Sequence, residues 1–445
     1  MFFIKRIWQK YISPIHIEDI FTPSSSAGLT FIKRTNVERR FHSQFRIKGR
    51  QIIVYGHSGS GKTTFLKRYF EENKIDYITV QCDSNMSFEQ IVSCVFDQLN
   101  VYGINTRSVS NKLKGKGRIS AGNTVVDSGI EFSHSNTETD NYTRYVSPQL
   151  NYQRLADALG NEHKLLLIED FHKIDEEQKK KLADMMKVFT DKSNDYKDLK
   201  IVCTGAVDTA REIVKLDNNL KQRVYECEIP LLSDSEIRAI VELGCGLLNI
   251  VMADDLIDRI VHYSNQLGGL AHQLAYDVCE SSNICKTQIY CKKLSGEHFY
   301  HAVENYIDAR SDSLVDTYDR AIKDSLGWYV LKTFSFNPQA KLRFKQICRK
   351  VNTDDHPFSE NDIALKLVEL SMPEVGILRS NNNGESYSIS DPFWGAFIKM
   401  RIAKEQADQE KAYNNSKNRS LLLQNQNDIE SMLLKILLSK YDMKV

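Results

Sequence analysis

Several features are missing from this 445-residue chain, and each absence removes a class of function. Charge of one sign is not in excess: 59 basic residues stand against 58 acidic ones, a net charge of +1. A global electrostatic attraction to nucleic acid or to an anionic membrane is therefore excluded, although local patches are not. No apolar run reaches the roughly 18 residues of a membrane span. The nine cysteines are odd in number and scattered, with no CxxC pair. Cys82, Cys94, Cys203, Cys227 and Cys279 fall in apolar patterns and read as core thiols in a reducing compartment. No zinc spacing, nuclease cluster or Ser/His/Asp set is present. The opening MFFIKRIWQKYI is basic and amphipathic, but its apolar core is too short for a signal peptide. It is expected to pack as a helix on its own protein, in a cytoplasmic chain.

What is present centres on QIIVYGHSGSGKTTFLKRYF, residues 51–70. A short apolar strand (Ile52, Ile53, Val54, Tyr55) runs into a glycine-rich turn and then a helix start. Gly56, Gly61, Lys62 and Thr63 fill every fixed position of the phosphate-loop pattern. Glycines let backbone N–H groups wrap an anion without a Cβ in the way, and the following helix adds its positive dipole end. Residues Gly56, His57, Ser58, Gly59, Ser60, Gly61, Lys62, Thr63 and Thr64 thus read as a cradle for ATP. Lys62 would reach the β- and γ-phosphates, and Thr63 would offer its hydroxyl to Mg²⁺.

Length alone allows about three domains. Residues 1–29 form an N-terminal extension closing in the turn-rich TPSSSAG. Strand and helix patterns then alternate over 30–230, which implies an α/β domain with a parallel sheet. A capping box at Ser87 and Gln90 opens one helix. Residues 101–148 interrupt the alternation with a polar insertion, basic early and acidic late, in which 125–132 hints at a hairpin; a loop and an exposed ribbon both fit. The run Lys164 to His172 (KLLLIEDFH) is a buried strand ending in two acids, Glu169 and Asp170, which match a Walker B strand. At the carboxyl end of a parallel strand, one carboxylate would hold Mg²⁺ and the other would orient the attacking water. A helix at 175–189 and another buried strand at 199–205 follow, with Thr204 at its end, then a last strand at 225–229. From Ser233, which with Glu236 forms a second capping box, the pattern is helical to about residue 310, as expected of a lid. Over 311–404, helices at 342–351 and 360–370 precede a hairpin around the turn Asn381-Asn382-Asn383-Gly384, which suggests a winged helix. The 405–445 tail is polar, then carries Ile429, Met432, Leu433, Ile436 and Leu437 as one apolar stripe.

The order of these pieces resembles the AAA+ superfamily, in the branch linking origin-recognition-type initiators to STAND signalling ATPases. The segment Phe31 to Glu38 (FIKRTNVE) resembles the F-[VI]-G-R-x-x-E-L stretch that lines the adenine pocket there, with Lys33 in place of the glycine and Arg34 at the arginine. By the same resemblance Glu169 is the metal-side acid and Asp170 the catalytic one. The short reach of an aspartate then implies slow hydrolysis, suited to a switch. Thr204 falls at the sensor 1 position, and Arg223 in the region that supplies an arginine finger to a neighbouring subunit. Gly268-Gly269-Leu270-Ala271-His272 resembles the G-G-L-P turn after the lid, putting His272 near sensor 2; a contact to the γ-phosphate and a packing role at the helix start are both open. Ile389-Ser390-Asp391-Pro392-Phe393-Trp394 resembles the F-x-D-P motif that closes winged helices in prokaryotic members.

Two functions follow. In the first, the chain is a STAND-like switch that binds ATP or ADP with Mg²⁺, forms a homo-oligomer through its ATPase core and controls a separate effector or sensor protein. Prokaryotic relatives with this layout serve in defence against phage or mobile elements, and the resemblance implies such a role. In the second, it is a DNA-associated ATPase (initiator, loader or transposition regulator) whose winged helix binds duplex. The expected recognition helix, with Glu360, Asp362 and Glu369 against Lys366 alone, favours a protein partner over DNA. Lys341, Arg343, Lys345, Arg349 and Lys350, around the preceding helix, would suit phosphates or any solvated face.

Overall fold

A computed structural model describes residues 14–99, 102–108, 139–144, 151–206, 218–308, 312–352, 357–381, 384–406 and 408. The expected N-terminal helix, the 125–132 hairpin and the stripe at 429–437 lie outside these residues, as do Asn382 and Asn383 of the hairpin turn. The chain divides into two compact units, Thr35–Gly56 with Phe65–Glu228, and Met1–Arg34 with His57–Thr64 and Ile229–Val445.

The first unit begins with α1 (Thr35–Phe45) and β1 (Gln51–Tyr55). After the loop come α2 (Lys62–Glu72), β2 (Tyr77–Gln81) and α3 (Phe88–Gln98), whose Ser87 and Gln90 make the expected capping box. Strands β3 (Tyr102–Ser108) and β4 (Thr139–Arg144) pair antiparallel, so a ribbon is formed by the ends of the insertion. Then follow α4 (Tyr152–Asn161), β5 (Leu165–Glu169), α5 (Glu176–Lys192), β6 (Ile201–Gly205) and β7 (Val224–Glu228). Five strands form one parallel sheet in the order β2-β5-β6-β1-β7. Composition tracks position in it. The central strands β5 and β6 are apolar and buried nearly throughout, whereas edge strand β2 buries alternate residues. Helices cover the sheet, with Phe88, Val92, Leu155, Met185 and Phe189 buried in its core. Each such side chain contributes about 1.5–3 kcal/mol of burial.

The second unit opens with a helical turn, Ile17–Ile20, and continues with α6 (Asp234–Leu248), β8 (Ile250–Met252), α7 (Asp254–Ser264), α8 (Gly268–Ser281) and β9 (Lys292–Leu294). Ser233 and Glu236 cap α6 reciprocally, as the sequence implies. Helices α9 (Glu297–Asp308), α10 (Asp312–Ala321) and α11 (Ser325–Ser335) lead to β10 (Leu342–Arg343), α12 (Phe344–Val351), α13 (Glu360–Ser371), β11 (Leu378–Asn381) and β12 (Ser386–Ile389). A helix, α14, covers 392–406. Strand β10 joins the expected hairpin in a three-stranded antiparallel sheet, β10-β12-β11. The helical region and the region after residue 311 share one core, running from Ile17 through Leu274 and Phe334 to Ile402, so they form one compact unit.

Candidate nucleotide site

The loop after β1 belongs to the second unit. Gly59 and Gly61 sit at φ +75° and +85°, in the left-handed region that glycine alone enters cheaply. A Cβ on Gly61 would meet open space, leaving room for a ligand beside the backbone. One on Gly59 would lie 2.8 Å from Leu267 Cδ2 and 3.2 Å from Phe393 Cζ, so the loop is approached closely on that side. The Ser60 N–H donates to His57 O (3.1 Å), and Lys62 Nζ donates to the same carbonyl (3.0 Å). Ser60 Oγ is buried without a hydrogen-bond partner. An orphaned hydroxyl, two left-handed glycines and an ammonium on one loop fit a polyphosphate. Among the described residues no three His, Cys, Asp or Glu side chains converge, so a divalent cation would depend in part on the nucleotide's phosphate oxygens rather than on an all-protein cage.

Arg34 braces this loop. Its guanidinium reaches Ser60 O (3.4 Å) and Leu231 O (3.0 Å), and Nε lies 3.3 Å from Glu236 Oε1. Burial pushes its pKa down, and the Glu236 carboxylate opposes that. The same Glu236 accepts from the Ser233 N–H, so the arginine ties the loop to the start of α6. Asp391 and Phe393 approach from α14. Asp391 is its N-cap: Oδ1 accepts from the Phe393 N–H (2.7 Å), and Pro392 occupies the first helical position, where a missing N–H costs nothing. Asn265 Nδ2 donates to Pro392 O (2.8 Å). Burial raises the Asp391 carboxyl, opposed by the Phe393 N–H and by the positive charges of His57, Arg379 and Lys62. His272 is 3% exposed, accepts the Thr22 N–H at Nδ1 (3.0 Å) and meets the Phe21 ring edge-on. Burial pushes it down to about 4, so it is neutral and is engaged in packing at the start of α8.

In the first unit, the carboxyl edge of the sheet gathers three expected residues. Val54 pairs with Thr204 and Tyr55 with Gly205, while Ile168 pairs with Cys203, so the ends of β1, β5 and β6 are level. The chain leaves this edge at Gly56. Asp170 takes a left-handed conformation, φ 57°, and donates its N–H to Thr204 Oγ1 (3.1 Å). Thr204 is 1% exposed. Lys173 Nζ holds Asp170 Oδ2 at 2.9 Å, and that bond raises the lysine pKa. Arg223 stands at the opposite, amino edge: its carbonyl accepts from Gln51 N–H (2.8 Å) and Nη1 pairs with Asp191 (3.2 Å). A five-residue strand separates the two edges by about 17 Å. Arg223 therefore has no access to the carboxyl edge of its own sheet.

Residues 47–213 match the AAA domain family. That stretch is similar to an AAA domain. It takes in β1 through β6 with the phosphate loop and the paired acids, and it is fewer than half of the residues. Among solved structures, the chain is similar to a Walker-type ATPase of Pyrococcus abyssi (14% identity, 83% of this chain and 96% of that one, TM-score 0.49). It is also similar to the ORC2 protein of Aeropyrum pernix (13%, 84% and 93%, 0.44) and to Cdc6p of Pyrobaculum aerophilum (12%, 88% and 100%, 0.41). No curated protein matches the sequence. Lys173 on Asp170, Arg34 on Ser60 and Phe393 on Gly59 are site contacts that sequence reasoning missed. Only the first had a local signal, a lysine three residues after an acid.

Proposed function

We propose that this chain is a slow, Mg²⁺-dependent ATPase that acts as a nucleotide switch, forming a homo-oligomer and controlling a separate effector. The AAA domain supports ATP as the ligand. The observation that carries the switch is the seat of Asp391 and Phe393 beside the loop. The N-terminus of α14 lies against the loop that would hold the phosphates, so a loop that shifted between ATP and ADP would bias that helix differently. In this reading Lys62 and Thr63 hold phosphates and metal, Glu169 and Asp170 serve metal and water, and Thr204 orients Asp170. Arg223, remote from its own carboxyl edge, would act on a neighbouring copy. The lid at 231–310 and a winged helix built from α12, α13 and the β10–β12 sheet complete the layout. Sedimentation with ATP and with ADP tests this reading. An ATP-dependent assembly with slow phosphate release is expected; a mass indifferent to nucleotide overturns the switch.

A second reading has a specific observation in its favour: Arg343 at the end of β10 and Lys345, Arg349 and Lys350 in α12 are all exposed. Stimulation of hydrolysis by duplex DNA would move the assignment to a DNA-associated ATPase. A role in defence rests on the resemblance alone, and its test is phage plating on cells with and without the gene.

A further inference from the structure

Helix α13 presents an apolar seam that no described residue of its own unit covers. Leu365, Val368 and Met372 are 63%, 50% and 46% exposed, while Ile363, Leu367 and Leu370 bury the opposite face. Leu365 and Val368, three residues apart, share the outward face of the helix, and Met372 follows as its C-cap. Exposed acids border the stripe: Glu360, Asp362, Glu369 and, just beyond the helix, Glu374. The single cation of α13, Lys366, is buried and held by Asp324 (2.7 Å) and Glu369 (2.8 Å), which leaves Glu360, Asp362 and Glu374 as the acids it does not offset. The adjoining elements carry the complement. Lys341, just before β10, Arg343 in β10 and Lys345, Arg349 and Lys350 in α12 are exposed, with no acid in that helix and no ion pair to any of the five among the described residues. At the end of α11, Phe336 stands 72% exposed, an aromatic five residues before Lys341.

We propose that the α13 face of one copy docks on the α12 face of a second copy, with Leu365 and Val368 against Phe336 and the acids of α13 against the cations of α12. Charge complementarity selects the second copy. An acid-bordered apolar stripe needs a basic surface with an apolar anchor, and this chain displays one about a helix away. The two patches differ, so each copy offers one of each, and assembly proceeds by heterologous contacts. The inference rests on the homo-oligomer part of the proposed function but not on nucleotide.

The test uses the full chain in three forms: wild type, Leu365→Lys with Val368→Lys, and Arg349→Glu with Lys350→Glu. All four positions are exposed, and unchanged melting and ATP affinity confirm that the variants fold. By sedimentation, wild type should self-associate, more weakly at high salt, and each variant alone should lose at least about tenfold in affinity. Mixing the two variants should restore association, because one intact α13 face meets one intact α12 face. A wild type that stays monomeric up to about 100 µM, variants with unchanged mass, or a mixture that fails to recover each overturns the proposal. So does loss of binding to a 30-base-pair duplex (about three helical turns) by the α12 variant with its mass unchanged, which would make α12 a nucleic-acid surface. Lys62→Ala separates this inference from the switch: the α12–α13 association should persist in it even if nucleotide never changes the mass.

Discussion

His272 and Asp277 sit five residues apart on α8, both buried, and burial drives their protonation in opposite directions. His272 falls to about 4 from 6.5 and Asp277 rises to about 6 from 3.8. The histidine is neutral when folded, so its contribution is present above 6.5 and is lost as pH falls from 6.5 towards 4. The aspartate has the reverse sign. Its charged form is penalised in the fold, Oδ2 lacks a partner, and the cost present above pH 6 is relieved as pH falls to 3.8. The two effects nearly cancel between pH 4 and 6.5. Asp277→Asn should therefore stabilise the protein at pH 7 by on the order of 2 kcal/mol. It should also expose a melting temperature that rises from pH 4.5 to 6.5, against a flatter wild-type profile, as thermal denaturation across that window would read. At the same scale, Thr204→Ala removes the hydroxyl that accepts the Asp170 N–H. Turnover should drop about tenfold or more with ATP affinity retained, and Thr204→Ser should restore most of it, in steady-state phosphate release.

Among the elements, α14 shows how a local rule serves a distant site. The Asp391-Pro392 pair starts a helix for reasons internal to it: a carboxylate caps an orphan N–H and proline fills the first turn. That much is legible in the sequence. The position of Phe393 on Gly59, across more than three hundred residues of chain, is not, because no periodicity links them. Phe393 is half-buried, so Phe393→Ala should leave the melting temperature within a few degrees while changing the ratio of ATP to ADP affinity, read by titration calorimetry. An unchanged ratio would detach α14 from the switch. Gly59→Ala should instead destabilise by about 1–3 kcal/mol, since it adds left-handed strain to a 2.8 Å contact with Leu267. Chemical denaturation checks that value.

For the whole molecule, nucleotide binding is the quantity that joins sequence to stability. Ligand at about a hundred times its dissociation constant adds about 2.7 kcal/mol to the folded state. ATP should raise the melting temperature of wild type by several degrees and leave Lys62→Ala unmoved. A variant with an unchanged thermal shift would remove the loop from the site.

By itself the sequence determined the alternation of strand and helix, the buried strands β5 and β6, the two capping boxes and the phosphate loop. All are local, because they follow from apolar runs, glycines and short-range hydrogen bonds that a linear pattern records. The tertiary structure alone decided that one core joins Ile17 to Ile402 and that Arg34 is spent on Ser60 and Glu236. It likewise showed that His272 accepts the Thr22 N–H beside the Phe21 ring and that Arg223 stands at the edge of the sheet opposite Thr204. Those outcomes depend on which groups desolvate one another after the chain has closed, and burial is a property of the fold rather than of any single stretch of chain.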